Sequence, residues 1–239
     1  MTRMSRTSTM TRTTAAPRVA KRRSPVKQAA KAPRALHGLS HETIRTAALA
    51  LIDRDGLDEF STRKLGRVLG CEAMAIYWYY ASKELLLDAV VDKLMEDVGA
   101  VVGRDAPDWV AALRAVALAY RQLAHDHPRA FPLLATRRFA SEGTYAFLEQ
   151  LFELARRHGI DDRTSAQFYR VVSSYCNGFA LNELAALPGP DTAALRKKFA
   201  RVTAVSTWLE PRYLDEIFHF GLELQLAALA RMTDAPDAR

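Results

Sequence analysis

The stretch CEAMAIYWYYASKELL at residues 71–86 places one tryptophan and three tyrosines in four consecutive positions. Successive residues of a helix point about 100° apart, so only two of the four rings can face one core. The other rings must meet a different surface. The stretch therefore predicts a short helix that packs on the protein with one side and on a partner with the other.

Local signals before and within this stretch predict three helices. Ser40 is a suitable N-cap for a first helix, and Gly56 ends it. Ser61 caps a second helix, which Gly70 closes after little more than two turns. A third short helix is predicted over residues 73–80. Two short helices joined by a tight turn that contains glycine form the helix-turn-helix pattern.

The third helix has an inner and an outer face. The i, i+3, i+4 rule places Ala73, Ile76 and Tyr80 on the inner face. A recognition helix lays its outer face into the DNA major groove, where phenol and indole groups can donate hydrogen bonds to phosphates. The outward residues therefore predict a DNA interface, and they are Met74, Ala75, Tyr77 and Trp78.

The motifs STRKLGRVLG and AIYWYYASKELLLDAV, within about residues 40–95, resemble the DNA-binding domain of TetR-family transcriptional regulators. The tyrosine–tryptophan pair makes them especially similar to the tetracycline-repressor branch. The resemblance implies an all-α fold, with an N-terminal three-helix helix-turn-helix head that binds DNA. It also implies a C-terminal helical domain for ligand binding and dimerisation.

The family's DNA contacts can be carried onto matching positions of this sequence. The resemblance implies that Thr62 and Lys83 bind phosphates and that Arg63 reaches a base edge. Both helix N-termini also favour phosphate, and the arginine fork fits guanine O6 and N7. The aromatic residues Tyr77, Trp78 and Tyr79 are expected to brace the recognition helix on the DNA backbone.

The start of the recognition helix departs from the tetracycline-repressor pattern. A polar glutamine is expected there, but this chain has Ala73, Met74 and Ala75. These side chains can touch thymine methyl groups, but they cannot form a hydrogen bond with a base. The operator sequence therefore stays open.

Charge and composition divide the chain into four predicted parts: a disordered basic arm (1–38), the helix-turn-helix domain (39–82), a connecting helix (83–104) and the effector-binding and dimerisation domain (105–234). The arm carries ten positive charges and no acidic residue, whereas the whole chain has a net charge of +7. It either adds salt-sensitive attraction to DNA phosphates or serves as a solubilising tail or upstream start-site extension.

The sequence also bears on the compartment. No apolar run approaches the roughly 18 residues of a membrane span, and the N-terminus lacks the apolar region of a secretory signal. The two cysteines, Cys71 and Cys176, are far apart in segments that read as helical. We therefore expect a cytoplasmic protein with no membrane partner and no disulfide framework.

Helical periodicity continues to the end of the chain, and no strand signal competes with it. A helix is predicted from Asp108, two more over residues 141–158 and 162–187, and a last one from Pro211. The last helix is apolar on several sides. The resemblance implies a homodimer in which the last two long helices, including residues 220–224, pair with their copies. The alternative is a fully internal core helix.

The resemblance places a small-molecule effector pocket in the C-terminal domain. Ligand sites combine aromatic walls with a few polar anchors, although such residues are also common in cores. The candidate lining residues are Trp109, Tyr120, Phe131, Phe139, Tyr145, Tyr175, Asn177 and Trp208.

The sequence His125-Asp126-His127 suggests a metal, because tetracycline repressors bind drug and magnesium together. However, side chains at i and i+2 diverge on a helix, and no third ligand has a recognisable spacing. We therefore predict no metal or other cofactor. Whether either histidine contacts the effector stays open.

No motif of phosphate-binding, hydrolase or metalloprotease type occurs in the sequence, so we do not expect an enzyme. The prediction is a TetR-like transcriptional regulator, a repressor that a small-molecule effector releases from a palindromic operator. The alternatives are a ligand-independent regulator or an activator. A helical protein-interaction scaffold is the alternative from another class, and it would leave Arg63 and Lys83 unused.

Overall fold

The computed structural model describes residues 38–102, 106–137, 141–185 and 193–234, in which every regular element is helical. The predicted all-α fold is confirmed, while all but Gly38 of the predicted basic arm lies outside the described residues. The helices are α1 (His41–Asp55), α2 (Thr62–Leu69), α3 (Ala73–Tyr77), α4 (Lys83–Gly99), α5 (Trp109–Asp126), α6 (Pro132–Thr136), α7 (Glu142–Arg157), α8 (Asp162–Leu184), α9 (Ala193–Lys198), α10 (Ala200–Ser206) and α11 (Leu214–Asp234).

The predicted caps fix the ends of the N-terminal helices. The hydroxyl groups of Ser40, Ser61 and Ser82 accept hydrogen bonds from backbone N–H groups in the first turns of α1, α2 and α4, at 3.0, 3.3 and 3.1 Å. Gly56 and Gly70 follow α1 and α2 with φ angles of 91° and 65°, a region that favours glycine. These local signals place the helix-turn-helix in the chain.

The N-terminal helices enclose an apolar core. Ile44 and Ile52 of α1, Leu65 of α2 and Ile76 of α3 are fully buried, as is Leu86 of α4. The same cluster of buried residues continues into the C-terminal part of the chain through Leu123, Phe131, Leu133 and Leu134. The helix-turn-helix, called the head below, thus shares its core with the helices that follow.

The recognition helix α3 is shorter than predicted, because regular helix ends at Tyr77 rather than at Tyr80. The backbone N–H groups of Tyr79 and Tyr80 both donate to the Ile76 carbonyl, each at 3.0 Å. The chain therefore turns tightly here and brings both tyrosines back toward α1.

A charge cluster with a largely buried arginine and glutamate ties α5, α8 and α11 together. The Arg121 guanidinium donates two hydrogen bonds to the Glu183 carboxylate, at 2.7 and 2.9 Å, and one to Asp215 at 2.7 Å. It also lies 4.6 Å from the centre of the Phe218 ring. Because removal of Glu183 would leave the buried Arg121 guanidinium with only the exposed Asp215 as a partner, the pair of Arg121 and Glu183 helps to fix α5 against α8.

Several C-terminal predictions change in detail. The helix predicted over residues 162–187 ends at Leu184. A 3-10 turn over Pro211–Tyr213 precedes α11. The alternative of a fully internal last helix is wrong, because Phe220 and Leu224 of α11 are 66% and 58% exposed in the single chain.

We predict that Gly66→Ala selectively destabilises the head. A Cβ atom on Gly66 would lie 2.7 Å from the Cys71 carbonyl oxygen and 3.3 Å from the Ala73 nitrogen. Both are backbone atoms that cannot rotate away, so we expect a loss of about 1–3 kcal/mol in unfolding free energy. Denaturant unfolding measures it. Gly143→Ala in α7 is the control, because its Cβ would meet no atom closer than 3.8 Å. Equal stability of the two variants would contradict the prediction.

Candidate nucleic-acid interface and effector pocket

The N-terminus of α2 and the end of α3 meet at the surface of the head. The hydroxyl oxygens of Thr62 and Tyr77 are 3.2 Å apart, within hydrogen-bonding distance. Arg63 follows on the first turn of α2 and is exposed. Met74 and Trp78 are 66% and 49% exposed. The structure therefore leaves these predicted DNA-contact residues available to a partner, while Ala73 and Ala75 are partly exposed.

Tyr79, which was predicted to brace the recognition helix on the DNA backbone, contacts α1 of the protein. Its hydroxyl donates to the Leu39 carbonyl at 3.1 Å, and its ring meets the His41 ring edge-on at 5.3 Å between centroids. Tyr80 donates in the same way to the His41 carbonyl, at 2.9 Å. The turn after α3 carries both rings onto α1. Tyr79 thus braces the end of α3 on the protein, and its predicted contact with the DNA backbone stays a prediction.

Lys83 is committed to the protein as well. Its partly buried ammonium donates to the Phe60 carbonyl at 3.0 Å and lies 5.5 Å from the centre of the Phe60 ring. These contacts connect the N-terminus of α4 to the segment that leads into α2. A lysine ammonium has three donors, so the predicted phosphate contact stays a prediction alongside this structural role.

Charged side chains join α1 to α4 on the surface. Lys93 of α4 pairs with Glu42 at 3.0 Å, and Glu96 of α4 pairs with Arg45 at 2.5 Å. Hydrogen bonds from Lys93 and Arg45 lower the pKa of Glu42 to about 2. This carboxylate is therefore ionised at neutral pH, where it can pair with Lys93.

A cavity of about 80 Å³ lies in the C-terminal part of the chain, among α4, α5, α7 and α8. Its walls are largely apolar, with a few hydroxyl groups and one guanidinium. The lining residues are Val91, Met95, Val98, Leu113, Val116, Ala117, Tyr120, Leu134, Arg137, Thr144, Phe147, Tyr169, Val172, Ser173 and Cys176. This combination of apolar walls and few polar groups is typical of a small-molecule site.

Arg137, which follows α6, is the charged residue of this lining. Its Nη1 group donates to the Glu84 carbonyl at 3.1 Å and to the Asp88 carboxylate at 2.5 Å. Both acceptors belong to the first two turns of α4. A cavity residue therefore holds the end of α4 that lies next to the DNA-binding head.

Cys176 lines the cavity as an unreactive thiol. Burial raises its pKa to about 12. The thiolate, which is the nucleophile and the metal ligand, is therefore essentially absent at neutral pH. The cavity is suited to noncovalent binding.

Of the predicted lining residues that the structure describes, Tyr120 alone reaches the cavity. Asn177 lies behind it and accepts a hydrogen bond from the Tyr120 hydroxyl at 3.0 Å. Trp109 and Phe131 are fully buried core residues. Phe139 lies outside the described residues. Neither Trp109 nor Phe131 lines this cavity, and the sequence could not separate them from lining residues because buried aromatic residues in a core and in a pocket look alike in sequence.

Three more predicted lining residues lie elsewhere. The Tyr175 hydroxyl donates to the carbonyls of Ile217 and Phe218, at 3.2 and 3.0 Å, and so fastens α8 to α11. Tyr145 and Trp208 are each 63% exposed at the surface. The sequence prediction missed the polar lining residues Arg137, Thr144, Tyr169 and Ser173. An arginine after the apolar run FPLLAT at residues 131–136 is the signal that could have indicated the first of them.

The two histidines of the His125-Asp126-His127 sequence contact different helices. His125 Nε2 lies 3.6 Å from the Glu183 carboxylate of α8, and His127 Nδ1 lies 2.7 Å from the Asp53 carboxylate of α1. Neither lines the cavity. Within the described ranges, no three His, Cys, Asp or Glu side chains are grouped so that they could hold a metal ion.

Hydropathy of the helices bears on membrane insertion. Among residues 38–102, 106–137, 141–185 and 193–234, no helix combines the length and the apolar character that crossing a membrane requires.

Two family models match this chain, one over the N-terminal helices and one over the C-terminal part. Residues 44–90 match the family model of bacterial regulatory proteins of the tetR family. Residues 103–233 match the model of the tetracyclin repressor-like C-terminal domain. The first match covers the helix-turn-helix with most of its core, and the second covers α5–α10, most of α11 and the cavity lining apart from Val91, Met95 and Val98.

Individual proteins that are similar to this chain are also transcriptional regulators. An HTH-type transcriptional regulator from Saccharopolyspora erythraea is 31% identical over 140 residues, which is 59% of each chain, so the alignment spans less than two thirds of that relative. The class G tetracycline repressor protein of Vibrio anguillarum is 24% identical over 203 residues, covering 82% of this chain and 96% of the relative.

Solved structures share the fold. A possible TetR family transcriptional regulator from Streptomyces coelicolor superposes with a TM-score of 0.69 at 26% identity, over 81% of this chain and all of the other. A TetR variant from Acinetobacter baumannii, solved in complex with minocycline, gives a TM-score of 0.65 at 25% identity, over 82% of this chain and 99% of the other.

One family model covers more than half of the chain, and a second covers the helix-turn-helix. The solved structures share the fold. The chain belongs to the tetR family of bacterial transcriptional regulators, helix-turn-helix proteins that are typically dimeric repressors with a ligand-binding C-terminal domain.

Proposed function

We propose that this protein is a homodimeric repressor that binds a palindromic operator and is released from it by a small, largely apolar effector. The observation that carries the proposal is the position of α4. Its Leu86 and Val90 are buried in the core of the DNA-binding head, and its Val91, Met95 and Val98 line the cavity. One helix thus belongs to both sites.

The exposed residues of the head support DNA binding. Arg63 lies in the first turn of α2, where the free N–H groups of the helix end also attract phosphate. Tyr77 and Trp78 offer a hydroxyl and an indole N–H to the DNA backbone, and Met74 offers an apolar contact to bases. A helical scaffold without nucleic acid would not need this combination.

The exposed faces of the last two long helices support a dimer. Phe220 and Leu224 of α11 and Val171 of α8 are more than half exposed, and Ser174 and Gly178 add small exposed positions on α8. Apolar surface of this kind usually marks an interface. A two-fold dimer presents its two recognition helices to an inverted repeat, with half-sites about one helical turn or a multiple apart.

The size of the cavity supports a coupling between effector and operator. Its volume of about 80 Å³ is far below the roughly 300–1,000 Å³ of typical ligand sites. An effector that needs a site of typical volume must therefore push the cavity walls apart. One of those walls is α4. Because protein interiors are close-packed, a shift of α4 also moves the head.

We predict that Arg63→Ala weakens operator binding by about 1–3 kcal/mol and relaxes the preference at one base pair. Lys83→Ala should weaken binding to all sequences alike and reduce the salt slope by about one. It should also lower the stability of the head, because the Phe60 carbonyl loses its partner. Titrations at several salt concentrations on selected and scrambled DNA measure these effects.

Arg156→Ala is the matched control, since this arginine lies on α7 and pairs with Glu153 of the same helix. It removes the same charge far from the head and should leave binding unchanged. If Arg63→Ala and Lys83→Ala had the same effect on sequence preference, the division of roles would be wrong.

For the dimer, we predict that Phe220→Glu combined with Leu224→Glu yields monomers with greatly weakened operator binding, because two carboxylates would be buried at the interface. Light scattering after size exclusion measures the mass. Tyr145→Glu, at an equally exposed aromatic residue of α7, should remain dimeric. A dimer that survives the double substitution would place the interface elsewhere.

Effector action can be tested through linkage. A thermal-shift screen of small molecules is followed by operator titration with and without each hit. We predict that an effector lowers operator affinity by a coupling of about 1–3 kcal/mol and is itself bound more weakly, by the same factor, when operator is present. A tight cavity ligand that leaves operator affinity unchanged would support a ligand-independent regulator, and stronger operator binding would indicate an activator. Lack of salt-dependent retention on duplex DNA would favour the scaffold.

A further inference from the structure

We propose that the effector is an apolar molecule with one acidic group, and that this group binds the Arg137 guanidinium and thereby loosens the hold of Arg137 on α4. The inference rests on the proposed function, because it assigns the ligand class and the regulation of the same cavity.

The charge of the cavity lining selects the ligand class. Among the fifteen lining residues, Arg137 is the single charged side chain, and no carboxylate is present. The uncharged polar groups come from Tyr120, Thr144, Tyr169 and Ser173, and the rest of the wall is apolar apart from the Cys176 thiol. An apolar body with one anionic group satisfies both the walls and the cation.

The guanidinium of Arg137 retains hydrogen-bond donors for this anion. Both hydrogen bonds of the guanidinium come from Nη1, which donates to Glu84 and Asp88. Within the described part of the chain, Nε and Nη2 donate no hydrogen bond. These two groups form the fork that binds a carboxylate through two parallel hydrogen bonds. An anionic ligand can therefore approach before the Asp88 contact is broken.

The same contacts connect the ligand to the head. A bound anion shares the guanidinium charge with Asp88 and draws the side chain toward the cavity, which weakens its bonds to the first two turns of α4. Glu84, whose carbonyl Arg137 holds, is next to Lys83, and Lys83 holds the Phe60 carbonyl just before α2. The path from the cavity to the DNA-binding helices is therefore a short series of direct contacts.

The experiment uses matched acids and amides as probes: benzoate and 2-naphthoate, with benzamide and 2-naphthamide as neutral counterparts. Isothermal titration of the full-length protein at constant ionic strength gives the affinities. We expect each carboxylate to bind at least about tenfold more tightly than its amide, since a charge-assisted bidentate contact is lost in the amide. Equal affinities, or no carboxylate binding up to millimolar concentration, would overturn the proposal.

Variants separate binding by Arg137 from its structural role. Arg137→Gln should bring the acid-to-amide ratio close to one. Arg137→Lys keeps the positive charge but loses the bidentate donor pair, so its acid-to-amide ratio should be intermediate. This variant replaces Arg137→Gln in the test if the glutamine variant does not fold. Arg156→Gln, which removes the same charge from α7 outside the cavity lining, should retain the ratio. A purely structural Arg137 would leave the ratio unchanged in every folded variant, and that result would contradict the proposal.

Asp88→Asn tests the regulatory step. It frees the guanidinium, so 2-naphthoate should bind several-fold more tightly, and operator affinity without ligand should fall. The operator is the duplex that the wild-type protein selects from a random pool. If 2-naphthamide released operator as well as 2-naphthoate does, the effector-controlled repressor would stand and the acidic ligand class would fail. If 2-naphthoate bound through Arg137 without changing operator affinity, the proposed function would fail instead.

Discussion

The fold depends on α4 being packed into two sites at once. Leu86 and Val90 fill the core of the DNA-binding head, while Val91 and Met95 form a wall of the cavity a few residues later. Because these residues lie next to one another along one rigid helix of 17 residues, the wall cannot shift without the head. The remaining contacts of the head determine how such a shift is transmitted.

Those contacts hold the head as one body. Ion pairs join α1 to α4 through Lys93 and Glu96, so the two helices respond together. The other end of α1 touches the segment after α5, where Asp53 meets His127 and the Arg54 carbonyl accepts from Arg129. The head is therefore connected to the rest of the chain at α4 and at the end of α1, which favours a pivoting movement over local unfolding.

Local chemistry made much of the fold predictable from sequence. Ser40, Ser61 and Ser82 cap their own helices, and Gly56 and Gly70 end theirs, so the helix-turn-helix could be placed without tertiary information. Side chains whose positions depend on tertiary contacts were predicted less well. The tight turn after α3 rotates Tyr79 onto α1, and Lys83 finds the Phe60 carbonyl, which is distant in sequence. In the cavity, Arg137 reaches the lining because of where the short helix α6 is placed. The hydrophobic periodicity of the sequence does not encode that placement.

We propose that a ligand in the cavity changes the separation of the two heads of the dimer by moving α4. The direct measurement is the head-to-head distance in the dimer, by pulsed electron spin resonance with a nitroxide on Arg67→Cys in α2. Cys71→Ser removes the accessible native thiol, while burial protects Cys176 from labelling. The account predicts one distance distribution with operator and a shifted one, by several ångströms, with an effector that releases operator. Identical distributions despite that release would contradict it.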